Sequence, residues 1–329
     1  MRLMITIGID LGGTYIKGTL FDSATLEAIK SETRETIARE GPEALIGRIA
    51  ELATGLRNAS GGRAKGVGIG VPGMYDPATG CTRFLPNLPT QWRGVPLGPE
   101  VKKAVGLPTA LINDARAFVL AEARIGAGKG RDRVVGMTLG TGVGGGVVIG
   151  GKLLFGHDGS AGEVGHQIIE MHGERCGCGS RGCLEAYATG SAIAARAIRA
   201  VLQGQSTQLR DLCTLAEEGG RVDLSRMTPE TVAQAADAGD DVACVILEDV
   251  SFRVGIGVAN LITLFSPDVV IIGGGVAKAI ERWLYPVVQR TVKERCHVTP
   301  LEPVKISIPE HAADAGAIGA ALWAAEHAQ

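Results

Sequence analysis

Residues 4–21 read MITIGIDLGGTYIKGTLF, and the fold follows from what these residues do and from where they recur. Met4 to Asp10 reads as a buried strand, Gly12-Gly13-Thr14 as a turn, and Tyr15 to Phe21 as a strand returning beside the first. The design is repeated 128 residues later, where Val134 to Leu139 leads through Gly140-Thr141-Gly142 into Val143 to Ile149. Gly8 then falls on Gly136, Leu11 on Leu139, Gly12 on Gly140 and Gly18 on Gly146. Two such hairpins in two halves of a chain predict a duplicated α/β domain, with glycine tips facing one another across a cleft.

The second hairpin contains a GxGxxG at Gly140, Gly142 and Gly145, which elsewhere signals dinucleotide binding. That signal needs a helix opening at the glycines, and Val147-Val148-Ile149 continues as a strand instead. Gly126-Ala127-Gly128-Lys129-Gly130 imitates a phosphate loop, but Gly130 stands where Ser or Thr would hold magnesium, so it reads as a turn.

Outward from the first hairpin, Leu45, Ile49, Leu52 and Leu56 form an apolar stripe that predicts a helix over 42–59. A strand over 66–71 ends in Pro72-Gly73. The connection from Cys81 to Pro99 is long enough to make Asn87 and Trp92 candidate pocket residues. Leu111 to Ala115 reads as a strand end followed by a helix from Arg116 to Arg124, which leaves Asp114 either capping that helix or facing the cleft. Long helices are expected over 190–203 and 240–265. A strand over 269–272 delivers Gly273-Gly274-Gly275 at its C-terminal end, and a helix over 312–325 carries Gly316 and Gly319 for close packing across the lobes. The predicted division is a first lobe of residues 1–114 completed by the helix at 312–329, and a second of 115–311.

The segment 162–185, GEVGHQIIEMHGERCGCGSRGCLE, holds three of the seven cysteines. Cys176, Cys178 and Cys183 with His166 make the Cys3His set of a closed structural zinc site. A disulfide framework is disfavoured by the odd cysteine number and the absence of a secretory pattern. Cys81, Cys213, Cys244 and Cys296 are scattered and read as ordinary thiols. Glu163 and Glu185 could bind the hydroxyls of a polyol or could be solvated surface carboxylates, and at this level both stand.

The whole chain of 329 residues has a formal charge of −2 and 48 glycines. Lys and Arg do not cluster with aromatics, which disfavours nucleic-acid partners. No apolar run reaches the ~20 residues of a membrane span, so a cytoplasmic protein is expected. Glycine tips offer backbone N–H groups to phosphate oxygens, with Thr14, Lys17 and Thr141 as further donors, and Asp10 is placed to hold magnesium through water. Phosphoryl transfer then needs chiefly positioning and a base for the attacking hydroxyl, for which Asp114 is the candidate.

The segments Asp10-Leu11-Gly12-Gly13-Thr14, Leu139-Gly140-Thr141-Gly142, Gly162-Glu163-Val164-Gly165-His166, the cysteine run to Glu185, and Gly273-Gly274-Gly275 together resemble the ROK family of sugar kinases and sugar-responsive repressors. The resemblance covers almost the whole chain in order. It implies an actin-like ATPase fold of the ribonuclease H-like type, with ATP and Mg2+ between the lobes, a hexose deep in the cleft, structural Zn2+, and a homodimer or homotetramer. By matching positions it gives Asp114 the role of catalytic base, and Gly73, Asn87, Asn113, Glu163, His166 and Glu185 that of sugar-binding residues. Asp10, Gly12, Gly13, Thr14, Lys17, Gly140, Thr141, Gly142 and Gly273 to Gly275 would hold the nucleotide. The segments Asn87 to Trp92 and Trp92 to Leu97 look most like the family's glucokinases, which implies transfer of the γ-phosphoryl group to the 6-hydroxyl of glucose.

N-Acetylmannosamine, N-acetylglucosamine, mannose and fructose remain alternative substrates. A non-catalytic sugar sensor is a further alternative, while a repressor is disfavoured by the nine residues before Asp10. The chain departs from the family pattern at Arg116, where Asn is usual, and at Ala121. Arg116 could lower the pKa of Asp114, contact a phosphate, or point to solvent from the first helical turn, and the last is the preferred reading.

Overall fold

The computed structural model describes residues 4–85, 88–157, 159–215 and 221–328. Ten strands form two five-stranded sheets. The first contains β1 (Ile5–Leu11), β2 (Tyr15–Asp22), β3 (Glu27–Glu35), β4 (Val67–Val71) and β5 (Thr109–Asn113), in spatial order β3-β2-β1-β4-β5. The second contains β6 (Arg133–Leu139), β7 (Val143–Ile149), β8 (Lys152–Leu153), β9 (Val269–Gly273) and β10 (Lys305–Ser307), in order β8-β7-β6-β9-β10. The bounds of β1 plus 128 give those of β6, so the repeat read from the sequence is a repeat of structure. In each sheet the leading strand is flanked on one side by a parallel pair, β4 and β5 or β9 and β10.

The principal helices are α1 (Pro42–Ala59), α2 (Leu97–Val105), α3 (Asp114–Arg124), α4 (Gly190–Leu202), α5 (Asp241–Phe265), α6 (Glu281–Arg295) and α7 (Ala315–His327). The chain groups into two compact units: Met1–Arg131, Val147–Ala161 and Pro309–Gln329 form one, Asp132–Gly146 and Gly162–Ile308 the other. The first unit therefore extends past the residue 114 boundary expected from the sequence. Helix α3 belongs to it because α3 packs on α7, where the absent Cβ of Gly319 would lie 1.8 Å from the Ala117 carbonyl oxygen.

Alternation along β1 turns Ile7 and Ile9 to one face, where they share a core with Leu45, Ile49, Leu52 and Leu56 of α1. Gly8 turns the other way. A Cβ there would sit 1.8 Å from the Ala317 carbonyl oxygen, so α7 lies directly on the strand backbone. The small residues of α7 thus serve packing inside the first unit rather than packing across the lobes. Helix α7 also begins later than expected, at Ala315. The residues before it are held by other groups: the buried Glu122 carboxylate accepts from the N–H of Glu310 at 3.0 Å and of His311 at 2.7 Å.

Trp92, a candidate for either a pocket or a merely structural loop, is a core residue at 1% exposure, packed with Leu85, Leu88 and Leu97. Its backbone carbonyl accepts a hydrogen bond from the Thr82 hydroxyl. Asn87 lies outside the described residues. Among the described residues no helix is long and apolar enough to cross a membrane.

Candidate active site

In the first unit the strand register brings two carboxylates to the ends of strands on either side of β4. Asp10 stands opposite Gly70 in the β1–β4 pair, and Val71 stands opposite Asn113 in the β4–β5 pair. A Cβ on Gly70 would lie 3.7 Å from Asp10 Oδ1 and 3.8 Å from Asp114 Cα, so the glycine leaves open space between the two acids. Burial pushes the Asp10 carboxyl up to about 6, partly opposed by the Lys17 ammonium. That is the state of a carboxylate lacking a cation partner strong enough to offset its desolvation.

Asn113, not Asp114, caps α3. Its Oδ1 accepts from the Arg116 N–H at 3.2 Å, and its Nδ2 donates to the Gly73 carbonyl at 3.3 Å. Asp114 is the first helical residue, with Oδ1 accepting from the Ala115 N–H at 2.8 Å.

Arg116 does not point to solvent. It is 4% exposed, it donates to the carbonyls of Gly159 and Ala161 (3.0 Å for the latter), and its guanidinium lies 5.2 Å from the Phe155 ring centroid. Helix α3 is buried on nearly all sides, so a long cation in its first turn meets protein rather than water. The sequence carried no signal for this, because the acceptors lie 43 and 45 residues away.

The first glycine turn is closed by a Gly12 N–H to Tyr15 carbonyl bond of 3.0 Å and braced by the Thr36 hydroxyl, which donates to the Gly12 carbonyl at 2.7 Å. Gly13 and Thr14 are exposed at its tip. Lys17, expected as a phosphate donor, pairs with Asp314 and donates to the Ala313 carbonyl at 2.8 Å, so its ammonium is engaged within the first unit.

In the second unit a Gly140 N–H to Gly142 carbonyl bond of 2.9 Å closes the equivalent turn, leaving Thr141 exposed. Strand β9 ends at Gly273, and Gly274 turns the chain at φ +96° into a short helix, Gly275–Ala279. A Cβ on Gly274 would lie 2.3 Å from the Leu139 carbonyl oxygen, so only glycine fits beside the residue preceding the turn. The three glycines and the turn thus form one patch of bare backbone.

The expected metal ligands also converge. The ligand atoms of His166, Cys176, Cys178 and Cys183 all lie within 4.8 Å of one another. Cys178 Sγ is 3.8 Å from Cys183 Sγ, and Cys176 Sγ is 3.7 Å from His166 Nδ1. Tetrahedral zinc with sulfur at ~2.3 Å and nitrogen at ~2.0 Å sets sulfur–sulfur and sulfur–nitrogen edges of about 3.8 and about 3.5 Å, so the donor set fits. Burial pushes the Cys176 thiol up to about 12 and raises Cys183, whereas Cys178, served by the Ser180 N–H, is lowered. A bound cation is what would make thiolates of the first two at neutral pH. Glu163, exposed, flanks the turn carrying His166. Glu185 Oε1 lies 3.5 Å from Cys176 Sγ and 4.0 Å from His166 Nδ1, while its Oε2 accepts from the Val143 N–H at 3.1 Å.

Sequence reading missed Gly70, the contact of Gly316 with Asp10, and Glu122, which fixes the segment before α7. Each acts through a neighbour remote in sequence.

Two units, each with a leading hairpin, a glycine turn and a parallel strand pair in the same order, define the actin-like ATPase class of α/β fold. The sequence profile of the ROK family matches residues 6–327, and the chain belongs to that family. It is 41% identical over 317 residues to a glucokinase of Thermotoga maritima, covering 96% of this chain and 95% of that one. Crystal structures of a ROK hexokinase from Thermus thermophilus and of a ROK family glucokinase from Streptomyces griseus in complex with glucose and AMPPNP each superpose with a TM-score of 0.79 at 32% identity. They cover 98% of this chain and 98% and 99% of theirs, respectively.

Proposed function

We propose that this protein is an ATP-dependent hexose kinase that phosphorylates glucose on its 6-hydroxyl, with Asp114 as general base. The observation that carries the reading is the placement of Asp114 at a strand end and helix start, one glycine away from the half-buried Asp10. The glucokinase from Thermotoga maritima and the glucose and AMPPNP complex from Streptomyces griseus support the choice of sugar and donor.

Asp114 takes the proton of the sugar hydroxyl as its oxygen bonds to the γ-phosphorus. The bond from that phosphorus to the β,γ-bridging oxygen breaks, and ADP leaves with the electron pair. Asn113 is fixed by its bonds to Gly73 and to the helix N-terminus, so an adjacent hydroxyl meets an oriented amide rather than a free rotor. Gly12, Gly13, Thr14, Gly140, Thr141, Gly142 and Gly273 to Gly275 offer backbone and hydroxyl donors to the nucleotide. Asp10 would hold Mg2+, which would neutralise developing charge on the phosphates. Lys17 acts by fixing the segment before α7 rather than by touching phosphate.

Zinc is the ion that suits His166, Cys176, Cys178 and Cys183, and it would fill a structural role, since all four positions are protein groups. His166 and Glu163 then present sugar-binding atoms from a loop that does not rearrange between turnovers.

The test is ADP release with Mg-ATP over glucose, mannose, fructose, N-acetylglucosamine and N-acetylmannosamine, with Asp114→Asn as control. Turnover strongest on glucose and lost in the variant is expected. Turnover confined to another hexose would overturn the sugar assignment, and none on any sugar would overturn the kinase reading.

A further inference from the structure

Three tethers run from the metal loop to the second glycine turn, and none of them involves a sugar. Glu185 stands two residues past the ligand Cys183. Its Oε2 accepts from the Val143 N–H at 3.1 Å, at the residue that ends the turn, while its Oε1 faces Cys176 and His166. Five residues further on, the Gly190 N–H donates to the Gly140 carbonyl at 3.0 Å, at the other flank of the same turn. Gly165, beside the ligand His166, lies so close to Val143 that a Cβ would meet the Val143 carbonyl oxygen at 2.0 Å. The absent Cβ of Gly142 would also be 3.0 Å from Glu185 Oε2, so turn and carboxylate are in contact.

We propose that Glu185 is a positioning residue that couples the metal centre to the Gly140–Gly142 turn, so that metal occupancy sets nucleotide affinity as well as sugar affinity. The reasoning is geometric. The turn offers N–H groups to phosphate oxygens only if its backbone keeps one shape, and its first residue, Gly140, and the residue that follows it, Val143, are held from outside by groups within seven positions of a metal ligand. A charged acceptor on a backbone N–H is the strongest of these holds. Loss of the ion frees the loop, and the Val143 and Gly140 bonds loosen with it. This inference rests on the reading of the Gly140 turn as a nucleotide site.

The experiment measures AMPPNP and glucose dissociation constants separately, by calorimetry, for the wild type as isolated, after chelation, and after zinc is added back. Glu185→Ala and Glu185→Gln are measured beside it, with metal content determined for each. Chelation should weaken AMPPNP binding about tenfold, the effect of losing a hydrogen bond to a charged group, and zinc should restore it. Glu185→Ala should show the same weakening with zinc retained. Glu185→Gln keeps an acceptor for the Val143 N–H and should recover most of the nucleotide affinity while its glucose affinity stays low. Unchanged AMPPNP affinity in chelated protein and in zinc-loaded Glu185→Ala, with only glucose affinity altered, would overturn the coupling. If chelated protein unfolds, the zinc-loaded Glu185→Ala decides alone. Wild-type protein that binds glucose but no nucleotide would remove the kinase reading itself, and with it the coupling.

Discussion

Asp10 abuts Gly316: a side chain at position 316 would begin 2.3 Å from Asp10 Oδ2. Gly316 lies in the first turn of α7, where exchanging glycine for alanine ordinarily stabilises a helix by about 1 kcal/mol. Here the sign reverses. Gly316→Ala should cost about 1–3 kcal/mol through overpacking and displace the Asp10 carboxylate. A lower melting temperature together with at least a tenfold fall in kcat/KM for Mg-ATP is the expected outcome. A gain in stability with activity intact would show that Asp10 has room to move.

The same carboxylate sets a pH dependence. Its folded pKa of about 6 stands above the ordinary 3.8, so the folded protein holds this proton more tightly than the unfolded chain. The cost of burying the charge is absent below about 4 and fully present above about 6, so nucleotide-free protein gains stability from this group as pH falls through that window. Magnesium competes with the proton, so Mg-AMPPNP affinity should fall as pH drops below about 6. Titrations across this range should show the fall in the wild type, and weak, pH-flat binding in Asp10→Asn.

Asp114→Asn removes the proposed base and keeps the shape. Phosphorylation of glucose should fall by roughly 10²–10⁴ in kcat, the usual contribution of a positioned base, with glucose affinity within a few-fold of wild type. Equilibrium glucose binding beside steady-state kinetics separates the two terms. An equal loss in both would mark Asp114 as a sugar ligand rather than a base.

Arg116→Ala leaves the Gly159 and Ala161 carbonyls without their donor and should cost about 2–3 kcal/mol. Arg116→Lys restores only part of this, because an ammonium cannot reproduce the two-pronged guanidinium geometry. Urea unfolding measures the loss. Limited proteolysis should show cleavage within 155–161 in the alanine variant and protection in the wild type.

Much of the fold was legible in the sequence for a local reason. The hairpins at Ile5–Asp22 and Arg133–Ile149 announce themselves by period-two apolar runs around glycine turns, and their spacing revealed the duplication. Helix α1 was legible from its stripe of Leu45, Ile49, Leu52 and Leu56. The convergence of one imidazole and three thiols was legible because Cys176, Cys178 and Cys183 lie within one short loop with His166 ten residues upstream. The weak strands were not: β3 is mostly exposed and polar, and β10 is only three residues long, so neither carries a strong local pattern.

What the sequence determined by itself was the two glycine hairpins, the strongly patterned strands and helices, the family and the chemistry available at each motif, because strand alternation, turn glycines and ligand spacing are short-range properties. The tertiary structure decided which partner each polar group meets. It turned Arg116 inward to the Gly159 and Ala161 carbonyls, gave the cap of α3 to Asn113, tied Lys17 to Asp314, and placed Glu185 between the metal centre and Val143. Those pairings join residues far apart along the chain. A side chain's partner depends on which backbones pack beside it, and no local pattern records that.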